Sequence, residues 1–188
     1  MGSPKTGAAN PYTDVNTTDY FYDAAVWANK LGFTSGTEFA PETPCTRAST
    51  VTYLWIAAGS PSADTETGFT DVAASADYAK AVAWAQKNNI VLGISNEQFA
   101  PDQNITREQI AAIIYRYARY KGQDVSAAEK TDITSYADYS EASDYAIGAL
   151  AYMVGSGIMK GRTDSTLNPK EGTNCPNNPS TEWEGISQ

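Results

Sequence analysis

An all-α fold is what this sequence predicts, and two observations predict it: one unit recurs three times along the chain, and each recurrence carries apolar residues at helical spacing. Tyr12-Thr13-Asp14-Val15 returns as Phe69-Thr70-Asp71-Val72 and, more loosely, as Tyr136-Ala137-Asp138. Trp27-Ala28-Asn29-Lys30 is answered by Trp84-Ala85-Gln86-Lys87 at the same offset, with Tyr152 in that place in the third copy. Each copy then reaches a glycine (Gly36, Gly93, Gly161), an aromatic or leucine (Phe39, Phe99, Leu167) and a proline two residues later (Pro41, Pro101, Pro169). The first helix of each unit is read from apolar residues at i, i+3, i+4 and i+7: Phe21, Ala24, Ala25 and Ala28, then Tyr78, Ala81, Val82 and Ala85, then Ala146, Ala149, Leu150 and Met153. The second helix is read from Val51, Leu54, Trp55 and Ala58, and again from Ile110, Ile113, Ile114 and Tyr117, each after a proline-containing loop. One helical hairpin of this length cannot bury its apolar face alone, so the three copies are expected to share a core around a pseudo-threefold axis. Alanines on the shared faces allow close approach, and Trp27, Trp55 and Trp84 supply bulk.

The expected boundaries are a leader at 1–10, in which Met1-Gly2-Ser3 reads as an expression remnant, and units at 11–58, 69–120 and 133–175. Polar connectors at 59–68 and 121–132 separate them, and a divergent tail occupies 176–188. The connectors suggest no chemistry of their own.

Composition narrows the function. With 13 Lys and Arg against 22 Asp and Glu, the chain carries a net −9, which disfavours nucleic acid as a partner. It has no histidine, so the commonest general base, zinc ligand and pH switch are all missing. Its two cysteines, Cys45 and Cys175, are too far apart in sequence for a CxxC pair, and loops related by a pseudo-threefold axis stand too far apart for a disulfide, so both thiols are expected unbridged. The longest apolar runs, such as 110–114 and 146–154, fall short of a membrane span. No calcium-loop spacing appears around the acidic residues, and no metal or cofactor is expected.

The combination of F-x-D-V, W-A near the end of the first helix, a glycine, F-x-P and T-R resembles the S-layer homology (SLH) domain. The best-preserved stretches are Phe99-Ala100-Pro101 with Ile105-Thr106-Arg107-Glu108, and Phe39-Ala40-Pro41 with Cys45-Thr46-Arg47-Ala48. The resemblance covers about residues 12–175. It implies a trimer of helix-loop-helix motifs around a central three-helix bundle. It also implies a non-catalytic anchor that holds an exported protein on the bacterial envelope by binding acidic, pyruvylated secondary cell-wall polysaccharide, with an extracellular, cell-wall location.

The residues add a chemical argument of their own. Thr106 begins a capping box completed by Gln109, and Thr46 begins another with Ser49. Arg47 and Arg107 follow at the first helical position, where a cation opposes the helix dipole at a cost of up to about 1 kcal/mol and so needs a reason. Unoccupied backbone N–H groups beside a guanidinium would suit a carboxylate. The plainer reading makes each arginine one half of a surface ion pair. The candidate ligand-binding set is therefore Thr46, Arg47, Thr106, Arg107 and Glu108, with Trp27 and Trp84 as sugar-covering aromatics, for which core packing is the plainer reading, and the loop glycines Gly36 and Gly93. Removing either arginine is expected to weaken binding and leave thermal stability nearly unchanged. Asp14, Asp71 and Asp138, just before the first helices, are expected to cap backbone N–H groups.

The third copy departs from the pattern. Counting from Pro169, Asn174 takes the threonine position and Cys175 the arginine position, and Pro176 and Pro179 should stop a helix almost at once. The third long helix is expected to be missing or replaced, with Trp183 or a second chain covering the gap. One groove between motifs would then lack its cation, with Lys160 and Arg162 as the nearest substitutes, leaving at most two competent sites. Two other functions stand beside the anchor. One is a protein-interaction module for lattice assembly or another surface protein, using the tyrosine-rich surface; the other is an enzyme built on carboxylates such as Asp164 and Glu171, for which no paired-acid spacing recurs.

Overall fold

The computed structural model describes residues 10–19, 21–30, 32, 36–163 and 165–173. Six α-helices are present among them: α1 (Tyr22–Lys30), α2 (Arg47–Ala57), α3 (Ala79–Lys87), α4 (Arg107–Tyr120), the single turn α5 (Ala127–Lys130) and α6 (Ile147–Gly155). Short 3-10 turns at Tyr139–Glu141 and Asp144–Ala146 lead into α6. No strand occurs among the described residues, only isolated bridges such as Thr46 with Asn104 and Thr106 with Gly172. The fold is all-α.

The helix ends follow from local chemistry. Both capping boxes form: Thr46 accepts from the Ser49 N–H and Thr106 from the Gln109 N–H, while each partner's side chain reaches back to the cap N–H. The first helices of the three units stop at residues in the left-handed region, Gly32, Asn89 and Gly157, at equivalent places after the helix. The 121–132 connector is more structured than its polarity implied. It contains α5, which packs on α6, and at Gly155 a side chain would collide with Thr131.

The apolar stripes read from the sequence lie inside. Val51, Leu54, Ile110, Ile113, Ile114, Tyr117, Ala81, Val82, Ala85, Ala149, Leu150 and Met153 belong to one buried cluster. A smaller cluster in the first unit joins Tyr12, Val15, Ala25, Ala28 and Phe39, and Trp27 and Tyr53 pack against both.

Two repeated devices tie the units together. Within each unit an aspartate bridges to the F-x-P loop: Asp14 accepts from the Phe39 and Ala40 N–H groups (2.8 and 2.7 Å), Asp71 from Phe99 and Ala100 (2.9 and 2.7 Å), and Asp138 from Leu167 and Asn168 (2.9 and 2.6 Å). Ala40, Ala100 and Asn168 each have φ near +50°, a left-handed kink that aims two successive N–H groups at one carboxylate. These aspartates are thus caps, as expected, but of a loop some 25 to 30 residues downstream rather than of the adjacent helix. Between units, backbone bonds close a ring: Cys45 N–H donates to Thr173 O, Thr173 N–H to Ile105 O, and Ile105 N–H to Cys45 O. These three bonds link one loop of each unit to the other two.

The same contacts overturn the idea that the first-turn N–H groups of α2 and α4 are vacant. Arg47 N–H donates to Gln103 O and Ala48 N–H to Pro101 O; Arg107 N–H donates to Glu171 O and Glu108 N–H to Pro169 O. The orphan donors of each second helix are consumed by the loop of the following unit.

Cys45 is buried, with its Sγ 3.3 Å from Thr50 Oγ1 and 3.4 Å from Ser49 Oγ. Asn174, Cys175, Asp164, Trp183 and the third long helix lie outside the described residues.

Two predictions follow from the aspartate bridges. Asp71→Ala should cost about 2 to 3 kcal/mol, because two charge-assisted hydrogen bonds are lost and only partly replaced by water; chemical denaturation reads this as a lower midpoint at unchanged slope. Acid should have a related effect. The Phe39 N–H bond holds the Asp14 carboxyl below its ordinary value, and at Asp71 burial pushes upward but the Phe99 and Ala100 N–H bonds outweigh it. At Glu108 burial also pushes upward, and the Lys170 and Ser143 bonds bring the net value below ordinary. A carboxyl depressed in the folded state stabilises fully above its unfolded value and loses that contribution as pH falls through the folded one. The melting temperature should therefore hold from neutrality to about pH 5 and drop below that.

Candidate functional site: a two-arginine groove

A cavity of about 420 Å³ is lined by residues of all three units. The first contributes Arg47. The second contributes the loop Val91-Leu92-Gly93-Ile94 and the α4 stripe Gln109, Ala112, Ile113 and Arg116, and the third contributes Tyr145. The size suits a sugar-sized ligand.

Arg47 is only 5% exposed. Its Nε donates to Phe99 O at 2.8 Å and its guanidinium lies over the Phe99 ring, 4.9 Å from the centroid. Nη1 and Nη2 have no hydrogen-bond partner among the described residues. Arg116 is half-buried on the same cavity and makes no hydrogen bond or ion pair among the described residues. Burial pushes both guanidiniums below their ordinary value, and the Arg116 charge adds to the effect on Arg47. Both remain cations at neutral pH. Two partly desolvated positive charges thus face one space with no carboxylate between them.

Arg107 has a different environment although its motif is the same. It is 3% exposed, and its Nε donates to Leu167 O and its Nη2 to Lys160 O, each at 2.8 Å. Both motif arginines are therefore buried fasteners between units, and neither is the exposed ion-pair partner considered from the sequence. Removing either one is now expected to cost stability. Arg162, proposed as a substitute cation, is paired with Glu171 at 2.8 Å.

Glu108 is likewise buried, at 3% exposure. Its carboxylate accepts from the Ser143 N–H (2.9 Å), Ser143 Oγ (3.0 Å), Tyr145 Oη (3.1 Å) and Lys170 Nζ (2.6 Å). Thr46 and Thr106 are occupied as helix caps. Trp84 is 3% exposed and stacks edge-on against Tyr117 and Tyr120, away from the two-arginine cavity, while Trp27 packs between the two apolar clusters.

The two loop glycines are not equivalent. Gly93 stands six residues before Phe99, as Gly161 does before Leu167, whereas Gly36 is three before Phe39. At Gly93 (φ +76°) a Cβ would lie 2.5 Å from the carbonyl oxygens of Ser95 and Gln98; at Gly36 (φ +100°) it would meet nothing within 4 Å. Gly93→Ala should therefore distort the groove wall and lower the melting temperature by several degrees, as about 2 kcal/mol of backbone strain would. Gly36→Ala should do less.

Arg116, Gln109, Tyr145, Leu92 and Ile94 were missed from the sequence. A signal existed for the first two: Gln109, Ala112, Ile113 and Arg116 form an i, i+3, i+4, i+7 stripe with polar ends beside the core stripe of α4. Nothing in the linear sequence places Tyr145 of the third unit across from Arg47 of the first.

The class this arrangement defines is a repeated helical binding module with a cationic cleft. The S-layer homology domain family matches at residues 11–50, 68–111 and 135–174, and the chain belongs to that family. It is 31% identical over 170 residues to an endoglucanase of Bacillus sp. (strain KSM-635), covering 86% of this chain and 17% of the relative. It is 33% identical over 119 residues to the surface-layer 125 kDa protein of Lysinibacillus sphaericus, covering 63% of this chain and 9% of the relative. It is also 33% identical over 102 residues to a cell surface protein of Thermoanaerobacter kivui, covering 52% and 13%. The chain thus spans less than a fifth of the length of these relatives. Modules of this family are non-catalytic anchors of surface proteins on the cell wall, and the chain is cell-surface and cell-wall-associated. No helix among the described residues is long and apolar enough to cross a membrane.

Proposed function

We propose that the groove formed by Arg47, Gly93, Gln109, Arg116 and Tyr145 binds an acidic substituent of secondary cell-wall polysaccharide, a pyruvate ketal, and so holds an exported protein on the bacterial envelope. The observation that carries this reading is the pair of guanidiniums facing one cavity with no carboxylate in its lining; the Asp71 charge acts on Arg47 without forming an ion pair with it. Buried cations of like sign repel, and an incoming carboxylate relieves that cost while accepting charge-assisted hydrogen bonds from both. Leu92 and Ile94, each more than half exposed at the rim, offer an apolar surface to the methyl of a ketal or the face of a sugar ring. The net charge of −9 makes recognition local to the groove, since the surface at large repels polyanions. The groove binds and releases; no reaction is assigned to it.

Arg107 and Glu108 support the site from behind rather than touching the ligand. The test is retention on purified cell-wall sacculi before and after mild acid strips the secondary polymer. Retention should vanish with the polymer. Retention that survives stripping would favour the other reading, a module that binds a surface protein.

A further inference from the structure

Glu108 and Tyr145 meet at the edge of this groove, and the polarity of their contact has a consequence for what the groove reads. Glu108 is held ionised by Lys170 and by the Ser143 donors, so its oxygens can only accept. The Tyr145 hydroxyl must then spend its one proton on Glu108 Oε1, which turns the phenolic oxygen into an acceptor. Tyr145 is 54% exposed and lines the cavity, so its hydroxyl is fixed while the residue still faces the groove. Burial together with the Glu108 charge pushes the Tyr145 phenol up to about 12, as a donor locked on a carboxylate requires.

We propose that Glu108 is a positioning residue that fixes Tyr145 as a hydrogen-bond acceptor on the groove wall, so that the groove reads an acid group together with a neighbouring hydroxyl or amide N–H of the same ligand. This rests on the anionic-ligand reading above and deepens it. The groove then carries donors on one side, Arg47 and Arg116, and one oriented acceptor on the other. A simple carboxylate satisfies half of that pattern; a sugar bearing its acid beside a hydroxyl or N-acetyl group satisfies all of it. The junction of the first and second units lacks this device. Where the first unit meets the second, the residues matching Glu108, Lys170 and Tyr145 are Ala48, Asp102 and Tyr78, and a smaller cavity opens there instead.

The experiment combines titration calorimetry, using a pyruvylated N-acetylhexosamine disaccharide, with spectroscopic titration of the Tyr145 phenol. Glu108→Ala should lower disaccharide affinity about tenfold, the worth of one lost hydrogen bond in a desolvated site, and Glu108→Gln, which keeps the acceptor oxygen, should restore it to within about threefold of wild type. Tyr145→Phe should lose about as much as Glu108→Ala, and the double variant no more than either. Glu108→Gln, by removing the charge, should also bring the phenol down from its raised value, a readout that needs no ligand and stays available if Glu108→Ala folds poorly. Losses that simply add in the double variant, no rescue by glutamine, or an unmoved phenol titration would overturn the proposal. Wild-type protein that does not bind the disaccharide would instead remove the ligand reading, and the phenol titration would then decide the Glu108–Tyr145 contact alone.

Discussion

Arg107→Ala should be the most damaging single substitution in the domain, lowering stability by about 3 to 6 kcal/mol, the sum of two charge-assisted hydrogen bonds at about 1.5 to 3 kcal/mol each. The Leu167 and Lys160 carbonyls that it holds belong to the third unit, so the loss is of the fastening between the second and third units rather than of α4 itself. Lysine should rescue poorly, because a single ammonium cannot reach two carbonyls in the fork geometry of a guanidinium. Urea denaturation followed by far-ultraviolet dichroism and by tryptophan fluorescence checks this. Non-coincident transitions, with the third unit released first, would locate the damage at that junction.

The groove arginines should separate binding from stability. Arg116→Ala removes a cation that makes no hydrogen bond or ion pair among the described residues and relieves its repulsion with Arg47, so melting temperature should hold or rise while polymer affinity falls about 10- to 100-fold, the worth of about 1.5 to 3 kcal/mol. Arg47→Ala should cost comparable affinity and also some stability, since its Nε bond to Phe99 O and its contact with the Phe99 ring are lost. Sedimentation with wall sacculi and thermal melts of the same preparations read the two effects side by side.

Much of the fold was legible in the sequence because it is repeated: a helical stripe seen three times is hard to mistake, and a capping box such as Thr106 with Gln109 states its own helix start. The motif arginines, read from the sequence as groups open to a ligand or a surface ion pair, are buried between units. Their unfavourable position at a helix N-terminus was a real signal, but the reason lay in carbonyls about 50 to 60 residues away, at Phe99 and Leu167, which only the closed arrangement of units brings near. The same applies to the first-turn N–H groups, taken up by the next unit's loop. Glu108 was marked as a ligand contact because it is the motif's acid, yet four donors from the third unit surround it. Arg116 escaped notice because, like Arg119 after it, it stands in the second half of α4 outside the repeated motif, and only the fold sets Arg47 and Tyr145 beside the same cavity.

The central claim is that the two-arginine groove recognises the acid group of a wall saccharide. Calorimetric titration of the wild type and of the Arg47→Ala/Arg116→Ala double variant, each with a pyruvylated disaccharide and with the same disaccharide after removal of the ketal, tests it most directly. The account predicts binding only for wild type with the pyruvylated sugar. Equal binding of both sugars, or undiminished binding by the double variant, would contradict it.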